Sequence, residues 1–469
     1  MHGFLASSVG VTCAAALVLP LALSAPAQAG SSGVTSELAA PGTTQSLPLV
    51  PLSGERALGS AAPEQGLTRR DVRPFSLVGI VWDNPDSELH GRVQVRTRAA
   101  ATGRWSGWQD VETHNHEHAA DPDTAEGDSG RVRGSTAPLW VGDSDGVEVR
   151  VEAEVDERST TGGDSPLPRG LRLELVAPGS DAASAGAQPD TAYTGARPGL
   201  PRAGAQGRAP RAGALSAPYA AVDTGRLAPA SATEIPELAP NVIPALSQQE
   251  TEREFLAERP AAEQRVKPHI GPRPRIVTRK GWGANEKLRE RGFVYSKKVK
   301  AAFVHHTASG NNYSCSQVPS VIRSIYRYHV VSSGWRDIGY NFLVDKCGNI
   351  YEGRAGGVAK AVTGAHTLGF NTDSMGIAVL GSFGKTKPSA SAVTAIAKLT
   401  AWKLGLFGVN PRGKTYLKSG GGNLYKKGKN VRLNVISGHR DGFSTECPGW
   451  RLYSKLGTAR KAAAKYQGR

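Results

Sequence analysis

Residues 72–177 alternate between apolar and polar side chains with a period of two. In RVQVRTR (Arg92–Arg98), Val93 and Val95 share one face and the cations occupy the other, and LRLEL (Leu171–Leu175) repeats the pattern. Such alternation is typical of half-buried antiparallel strands, and short strands separated by Gly, Asp and Pro turns indicate a small β-sandwich. We therefore predict an all-β, sandwich-like accessory domain over 72–177.

The pattern changes over residues 267–469, where short apolar runs alternate with helical periodicity. Lys300–His306 and Met375–Gly381 suit buried strands. Ser316–Val331 has apolar residues three and four positions apart, and Ser391–Gly408 is a long apolar segment ended by glycine, so both predict helices. This part of the chain is predicted to be a mixed α/β domain.

Two further segments differ from both domains. Residues 178–266 consist largely of Ala, Gly, Pro, Arg and Ser, and such a composition predicts a disordered linker. The apolar segment that ends in Ala27-Gln28-Ala29 predicts a cleaved signal peptide over 1–29 rather than a membrane anchor, because it is short and ends in Pro and small residues. No later segment has the ~20 apolar residues of a membrane span. We expect a secreted, extracellular protein.

The cysteines and charges refine this picture. Cys315 and Cys347 flank one helix–strand unit and are the expected disulfide, which leaves Cys447 as a free thiol. Residues 266–469 carry 35 Lys/Arg against 8 Asp/Glu, a net charge of +27. This excess predicts an anionic partner, for which anionic cell-wall polymers suit an exported protein. We expect no nucleic-acid partner, because the sequence shows no nucleic-acid-binding motif.

Two motifs in the N-terminal domain have a functional and a structural interpretation. Trp105 and Trp108 in RWSGW either stack on a sugar or cover the edge of the core. His114, His116 and His118 in HNHEH either bind a metal or lie in a solvated loop. We favour the structural interpretation of both, because no further ligand or aromatic cluster accompanies them.

The C-terminal domain places candidate metal ligands at the ends of predicted strands. His305 and His306 end one strand, His439 follows another, and Cys447 comes eight residues after His439. Two imidazoles and a thiolate suit zinc, and three protein ligands leave a fourth position for water, as in catalytic sites.

Six ordered blocks extend through about residues 276–456 and carry a resemblance to a known family. They are RKGWGAN (Arg279–Asn285), FVHHTAS (Phe303–Ser309), YHVVSSGWRDIGYNFLVD (Tyr328–Asp345), IYEGRAGG (Ile350–Gly357), GAHTLGFNTDSMGIAVLG (Gly364–Gly381) and SGHRDGFSTECPG (Ser437–Gly449). The domain resembles the peptidoglycan recognition proteins and the related zinc amidases that include certain bacteriophage lysozymes. The resemblance implies a central mixed β-sheet flanked by helices and an N-acetylmuramoyl-L-alanine amidase.

The resemblance also implies roles for individual residues. His305, His439 and Cys447 match the zinc ligands, Tyr340 matches the catalytic tyrosine, and Thr445 stands where the phage enzymes have lysine. Members that only bind peptidoglycan typically replace the cysteine, so Cys447 favours catalysis. The alternative is a non-catalytic peptidoglycan-binding or wall-anchoring module.

Four further residues lie in blocks that line the substrate groove of the family: His329, Trp335, Arg354 and His366. Arg354 suits a bidentate pair with a peptide carboxylate, whereas packing is an equal alternative for Trp335 and His366. The resemblance does not reach residues 30–265. We interpret the N-terminal domain as a positioning domain whose deletion leaves activity on soluble muropeptides intact.

Overall fold

The computed structural model describes residues 41–52, 64–113, 115–154, 167–179, 240–259 and 268–469. The predicted signal peptide, His114 and most of the predicted linker lie outside these ranges. Among the described residues, no helix combines the length and the apolar character that crossing a membrane requires.

The N-terminal region is an antiparallel sheet of eight strands. They are Thr43–Pro48 (β1), Val50–Pro51 (β2), Glu64–Trp82 (β3), Gly91–Ala99 (β4), Gln109–Val111 (β5), Gly134–Ser135 (β6), Leu139–Ala153 (β7) and Arg172–Ala177 (β8). Their order is β1-β8-β3-β7-β4-β5, and β2 and β6 both pair with β3. Val93 and Val95 are buried, as the alternation predicts. The sheet begins before residue 72, where the predicted domain starts. The alternation does not reveal β1 and the first half of β3, because these segments are too polar to show it.

Arginine side chains cover both tryptophans of this domain. The guanidinium of Arg69 lies 5.0 Å from the ring centre of Trp105, and those of Arg96 and Arg150 lie 4.8 and 4.5 Å from that of Trp108. The rings therefore take part in cation–π contacts at the sheet surface.

The C-terminal region is a mixed sheet of seven strands with helices on both faces. The strands are Val242–Ile243 (β9), Ile276–Val277 (β10), Ala301–His306 (β11), Phe342–Val344 (β12), Ile350–Glu352 (β13), Ser374–Val379 (β14) and Ile436–Gly438 (β17), and a separate hairpin joins Lys414–Lys418 (β15) to Asn430–Asn434 (β16). The helices are Gln248–Ala257 (α1), Val318–Arg327 (α2), Ala390–Gly405 (α3), Trp450–Tyr453 (α4) and Leu456–Tyr466 (α5). The mixed α/β prediction is confirmed.

Alternate side chains of this sheet belong to two separate apolar cores, one on each face. The sheet order is β17-β11-β14-β12-β13-β10-β9. Val304 and Ile377 pack with α3 and α5 on one face, whereas Ala378 packs with α2 on the other. Since neighbouring residues of a strand point to opposite faces, His305 lies on the α2 face. Cys315 and Cys347 form a disulfide next to α2.

Part of the segment predicted to be a linker belongs to this region. Strand β9 pairs antiparallel with β10, and helix α1 begins at a capping box formed by Ser247 and Glu250. The apolar residues of β9 stand out from the Ala-, Gly- and Pro-rich sequence before them, and they pair with the sheet edge. Residues 240–259 are thus part of the C-terminal fold.

The two regions share an apolar interface. Leu77, Val81 and Trp140 of the N-terminal sheet pack in one buried cluster with Val321 and Ile325 of α2. A buried hydrogen bond of 2.9 Å from the hydroxyl of Ser332 to the carboxylate of Glu174 crosses the same interface. The N-terminal region therefore rests on the α2 face of the C-terminal sheet, where His305 lies.

Candidate metal centre

Adjacent parallel strands bring the first two candidate ligands together. Strands β11 and β17 pair in parallel with Val304 opposite Gly438, so the next residues, His305 and His439, follow at the same edge of the sheet. The loop after His439 returns Cys447 to this edge, where its backbone carbonyl accepts a hydrogen bond of 3.1 Å from the N–H of Arg440. The three residues that the sequence predicts as ligands therefore meet.

A fourth donor comes from the N-terminal region. One ligand atom each from His118, His305, His439 and Cys447 lies within 4.8 Å of the other three. The sulfur of Cys447 is 3.6 Å from Nε2 of His118 and 3.8 Å from Nδ1 of His305. A tetrahedral zinc ion with ordinary bond lengths places nitrogen and sulfur ligands about 3.6 Å apart. The cluster thus has a donor set that fits zinc, and these two sulfur–nitrogen distances are close to the spacing of zinc ligands.

The cluster is sealed from solvent. His305 and His439 are 0% exposed, Cys447 is 3% and His118 is 5%. Three ring nitrogens have no hydrogen-bond partner among the described residues: Nδ1 and Nε2 of His439 and Nδ1 of His118. Buried polar atoms without hydrogen-bond partners cost folding free energy, and a metal ion bound between these nitrogens would satisfy them.

Burial also sets the protonation of the cluster. It holds the pKa values of His118, His305 and His439 well below the usual range, and neighbouring imidazoles add to the effect. The rings are therefore neutral, which is the form that ligates metals. Burial raises the pKa of the Cys447 thiol well above its usual value. A bound cation would reverse this by favouring the thiolate.

Comparison with known proteins assigns the C-terminal region. Residues 295–450 match the family described as N-acetylmuramoyl-L-alanine amidase. Peptidoglycan-recognition protein SC2 of Drosophila simulans is 30% identical over 185 residues, which cover 39% of this chain and 85% of that protein. The chain belongs to the peptidoglycan-recognition protein family.

Other members and a second domain family match as well. Peptidoglycan-recognition protein 1 of Holotrichia diomphalia is 32% identical over 183 residues, which cover 39% of this chain and 79% of that protein. A solved structure of peptidoglycan recognition protein LE in complex with tracheal cytotoxin is 33% identical, covers 39% of this chain and 92% of that chain, and has a TM-score of 0.30. Residues 30–177 match a family described as Rv3811 N-terminal galactose-binding domain-like.

Beside the candidate ligands of this peptidoglycan-recognition fold lie a tyrosine and two more histidines. The ring centre of Tyr340 is 5.6 Å from that of His305, and burial raises the pKa of its phenol well above the usual value. His366 is completely buried, with its ring centre 5.2 Å from that of His305. The hydroxyl of Thr367 lies 3.0 Å from Nδ1 of His366 and 3.4 Å from Nε2 of His305, so it links both rings. His306 instead accepts the N–H of Phe383 and does not join the cluster.

The other predicted site residues also have partners. Those of Thr445 and Arg354 lie in the N-terminal region, whereas His329 and Trp335 contact each other. The hydroxyl of Thr445 donates to Glu117 at 2.7 Å, and Arg354 donates to both carboxylate oxygens of Glu126 at 2.8 Å each. His329 stacks on Trp335 with ring centres 4.3 Å apart.

The HNHEH motif contributes a histidine to the cluster, which its sequence pattern does not predict. The structure contradicts its assignment to a solvated loop, because His118 is buried in the cluster, whereas His116 remains partly exposed and contacts Glu88. His116 and His118 lie in a turn and not in a strand, and they contact different neighbours. The only sequence signal for this fourth donor is the histidine-rich motif itself. Its missing partners lay more than 180 residues away in another domain.

Proposed function

We propose that this chain is an exported, zinc-dependent N-acetylmuramoyl-L-alanine amidase. It would hydrolyse the bond between N-acetylmuramic acid and L-alanine in peptidoglycan and associate with the cell wall. The observation that supports this best is the position of the Cys447 sulfur beside His305 and His439, since these three donors form a complete set for a catalytic zinc ion. The match of residues 295–450 to the amidase family supports the same reaction.

In this proposal His305, His439 and Cys447 hold the ion. The hydrogen bond between Thr367 and Nε2 of His305 orients that ring so that Nδ1 points towards the sulfur of Cys447. When bound, zinc makes water nucleophilic near neutral pH and polarises the amide carbonyl.

Two hydroxyl groups then act on the reacting amide. Tyr340 keeps its proton at neutral pH because burial raises its pKa, so it can donate a hydrogen bond to the developing oxyanion. Loss of such a donor costs about 2.7–4 kcal/mol of activation free energy in other enzymes. The hydroxyl of Thr445 accepts the backbone N–H of Cys447 at 3.0 Å, which holds it beside the cluster. We assign this hydroxyl the role of forming a hydrogen bond with the leaving amine.

We assign the binding of the stem peptide to residues beside the metal cluster. The buried guanidinium of Arg354 presents a fork that fits a carboxylate of the stem peptide. The stacked rings of His329 and Trp335 form the wall beside it. His366 is fully enclosed, so we assign it to packing behind His305.

One observation favours a second candidate, a non-catalytic wall-binding module. His118 completes a set of four protein donors, and four-ligand zinc sites are usually structural. Product analysis on purified sacculi separates the two functions. The wild type and His118→Ala are each incubated with one equivalent of zinc.

An amidase releases free stem peptides in at least one of these forms, and Cys447→Ser lowers the release at least about 100-fold. Binding to sacculi without release by either form would instead establish the wall-binding module.

A further inference from the structure

A segment of the N-terminal region, residues 115–126, lies across the candidate metal centre. We refer to it as the covering segment. It begins at the buried Asn115, whose amide donates to Ser135, and ends at the buried Glu126. Between these points it supplies His118 to the metal cluster and Glu117 to Thr445. One short segment thus contacts a ligand position and a proposed catalytic residue at once.

The covering segment is anchored to the C-terminal fold by hydrogen bonds. The carboxylate of the buried Asp121 accepts the N–H groups of Gly369 and Asn371 at 2.9 and 3.2 Å and the side-chain amide of Asn371 at 2.7 Å. The carbonyl of Glu117 accepts the N–H of Leu368 at 2.9 Å. These bonds use donors of residues 368–371, which closely follow His366, so the segment is held beside the metal cluster.

At the other end of the segment, a carboxylate occupies the proposed substrate-binding arginine. Both oxygens of Glu126 accept hydrogen bonds from Arg354, and one also accepts the backbone N–H of Arg336 at 3.2 Å. The side chains of Glu126 and Arg354 are 9% and 8% exposed. A peptide carboxylate that binds Arg354 in the same bidentate way must first displace Glu126.

We propose that His118 is a fourth metal ligand and that the covering segment holds the enzyme in a latent form. His118 takes the coordination position that water needs, and Glu126 takes the place of the substrate carboxylate. Activation then requires the covering segment to leave while His305, His439 and Cys447 keep the ion. This inference rests on the proposed amidase function only for latency, because the ligation by His118 stands apart from any activity.

Cobalt substitution tests the ligation directly. In the purified wild-type protein loaded with Co²⁺, azide should leave the absorption spectrum unchanged, because four protein donors fill the coordination sphere. In His118→Ala, azide should shift the spectrum, and the dissociation constant for zinc should rise at least about 10-fold. His116→Ala is the matched control on the same segment and should behave as wild type. Equal azide responses and equal zinc affinities in wild type and His118→Ala would overturn the ligation.

Stem-peptide release tests latency with the same proteins. We expect His118→Ala to release peptides at least about 10-fold faster than wild type. Glu126→Gln leaves all metal ligands in place and weakens the ion pair with Arg354. It is assayed under conditions in which denaturation curves show that it is folded, so it covers the case in which His118→Ala does not fold. Glu126→Gln should also release stem peptides faster than wild type, and the release rate of His116→Ala should equal that of wild type. Wild-type activity equal to that of both variants would overturn latency.

The two kinds of failure remain distinguishable. If no variant releases peptides but the cobalt spectra still depend on His118, the proposed amidase function and latency both fail, and His118 stands as a ligand of a structural metal. If all forms are active and the spectra are alike, the amidase function stands and the covering segment has no inhibitory role.

Discussion

The hydroxyl of Tyr328 lies 3.1 Å from the carbonyl oxygen of Thr136, which precedes it in the chain by 192 residues. The same hydroxyl lies 3.1 Å from the carbonyl of Ile80, and Gly79 leaves room for the ring, since a Cβ there would be 2.3 Å from the hydroxyl oxygen. The residue that follows α2 thus packs its side chain against the N-terminal sheet. Removal of that sheet would expose a buried tyrosine and the apolar face of α2.

We predict that Tyr328→Phe destabilises the protein. The substitution leaves the buried carbonyl of Thr136 without this donor, whereas the carbonyl of Ile80 still accepts the N–H of Thr136 at 2.9 Å. The loss of a buried hydrogen-bond partner costs about 1–3 kcal/mol of unfolding free energy. Urea denaturation of the purified protein measures the change. Tyr416→Phe is the control, because Tyr416 is 60% exposed and should change the unfolding free energy little. Equal midpoints for the two variants would contradict the prediction.

The pair of Glu126 and Arg354 should make stability depend on pH. Arg354 and the backbone N–H of Arg336 lower the pKa of Glu126 in the folded state against the opposing effect of burial, and the unfolded value is about 4.3. The stabilisation is therefore complete above about pH 4.3 and is lost as the pH falls through the lower folded pKa.

Near neutral pH, Glu126→Gln should lower the unfolding free energy by about 3–5 kcal/mol, because the buried charge of Arg354 loses its partner. The gap in unfolding free energy to wild type should begin to narrow as the pH falls below about 4.3, and it should close as the pH falls through the lower folded pKa of Glu126, where the wild-type carboxylate becomes protonated too. Denaturation across this pH range measures the gap. Glu152→Gln, in a half-exposed pair with Arg150, should show little change at any pH. A gap that does not change with pH would rule out the ionic contribution.

Metal removal should destabilise the folded protein. A ligand that binds only the folded state stabilises it by about 2.7 kcal/mol at a concentration 100 times its dissociation constant. Zinc added to the metal-free protein should therefore raise the melting temperature, and a chelator should reverse the change. The effect should be strongly reduced in His439→Ala, since neither ring nitrogen of His439 has another partner among the described residues. A zinc effect of full size in that variant would place the ion elsewhere.

The cationic C-terminal region should bind anionic wall polymers in a salt-dependent way. Its net charge of +27 includes exposed cations on the β15–β16 hairpin, such as Lys418, Lys426 and Lys429. Since added salt screens exposed charges, the fraction of protein that sediments with isolated walls should fall as NaCl rises from 50 to 500 mM, concentrations that span Debye lengths of roughly 14 to 4 Å. Walls stripped of anionic polymers are the control, and binding that ignores both changes would contradict this prediction.

The sequence could predict the mixed sheet and three of the four clustered donors, because each depends on local pattern or on parallel strand pairing. The apolar run before His305 predicts β11, and its parallel pairing with β17 explains why His439 lies nearby. The role of His118 depends on docking between domains that are separated in sequence, which no local periodicity encodes. Thr445, Arg354 and their acidic partners Glu117 and Glu126 are missed as pairs for the same reason.

Strand β9 has a consequence for how this protein behaves at high concentration. It occupies the outer edge of the seven-stranded sheet, where unpaired backbone groups can template pairing with another chain. Pro240 and Pro244 bracket its two residues, and proline has no N–H to offer an incoming strand. The sheet therefore ends in a short, proline-bracketed edge that resists self-association. Loss of residues 240–244 would expose β10 and should favour aggregation.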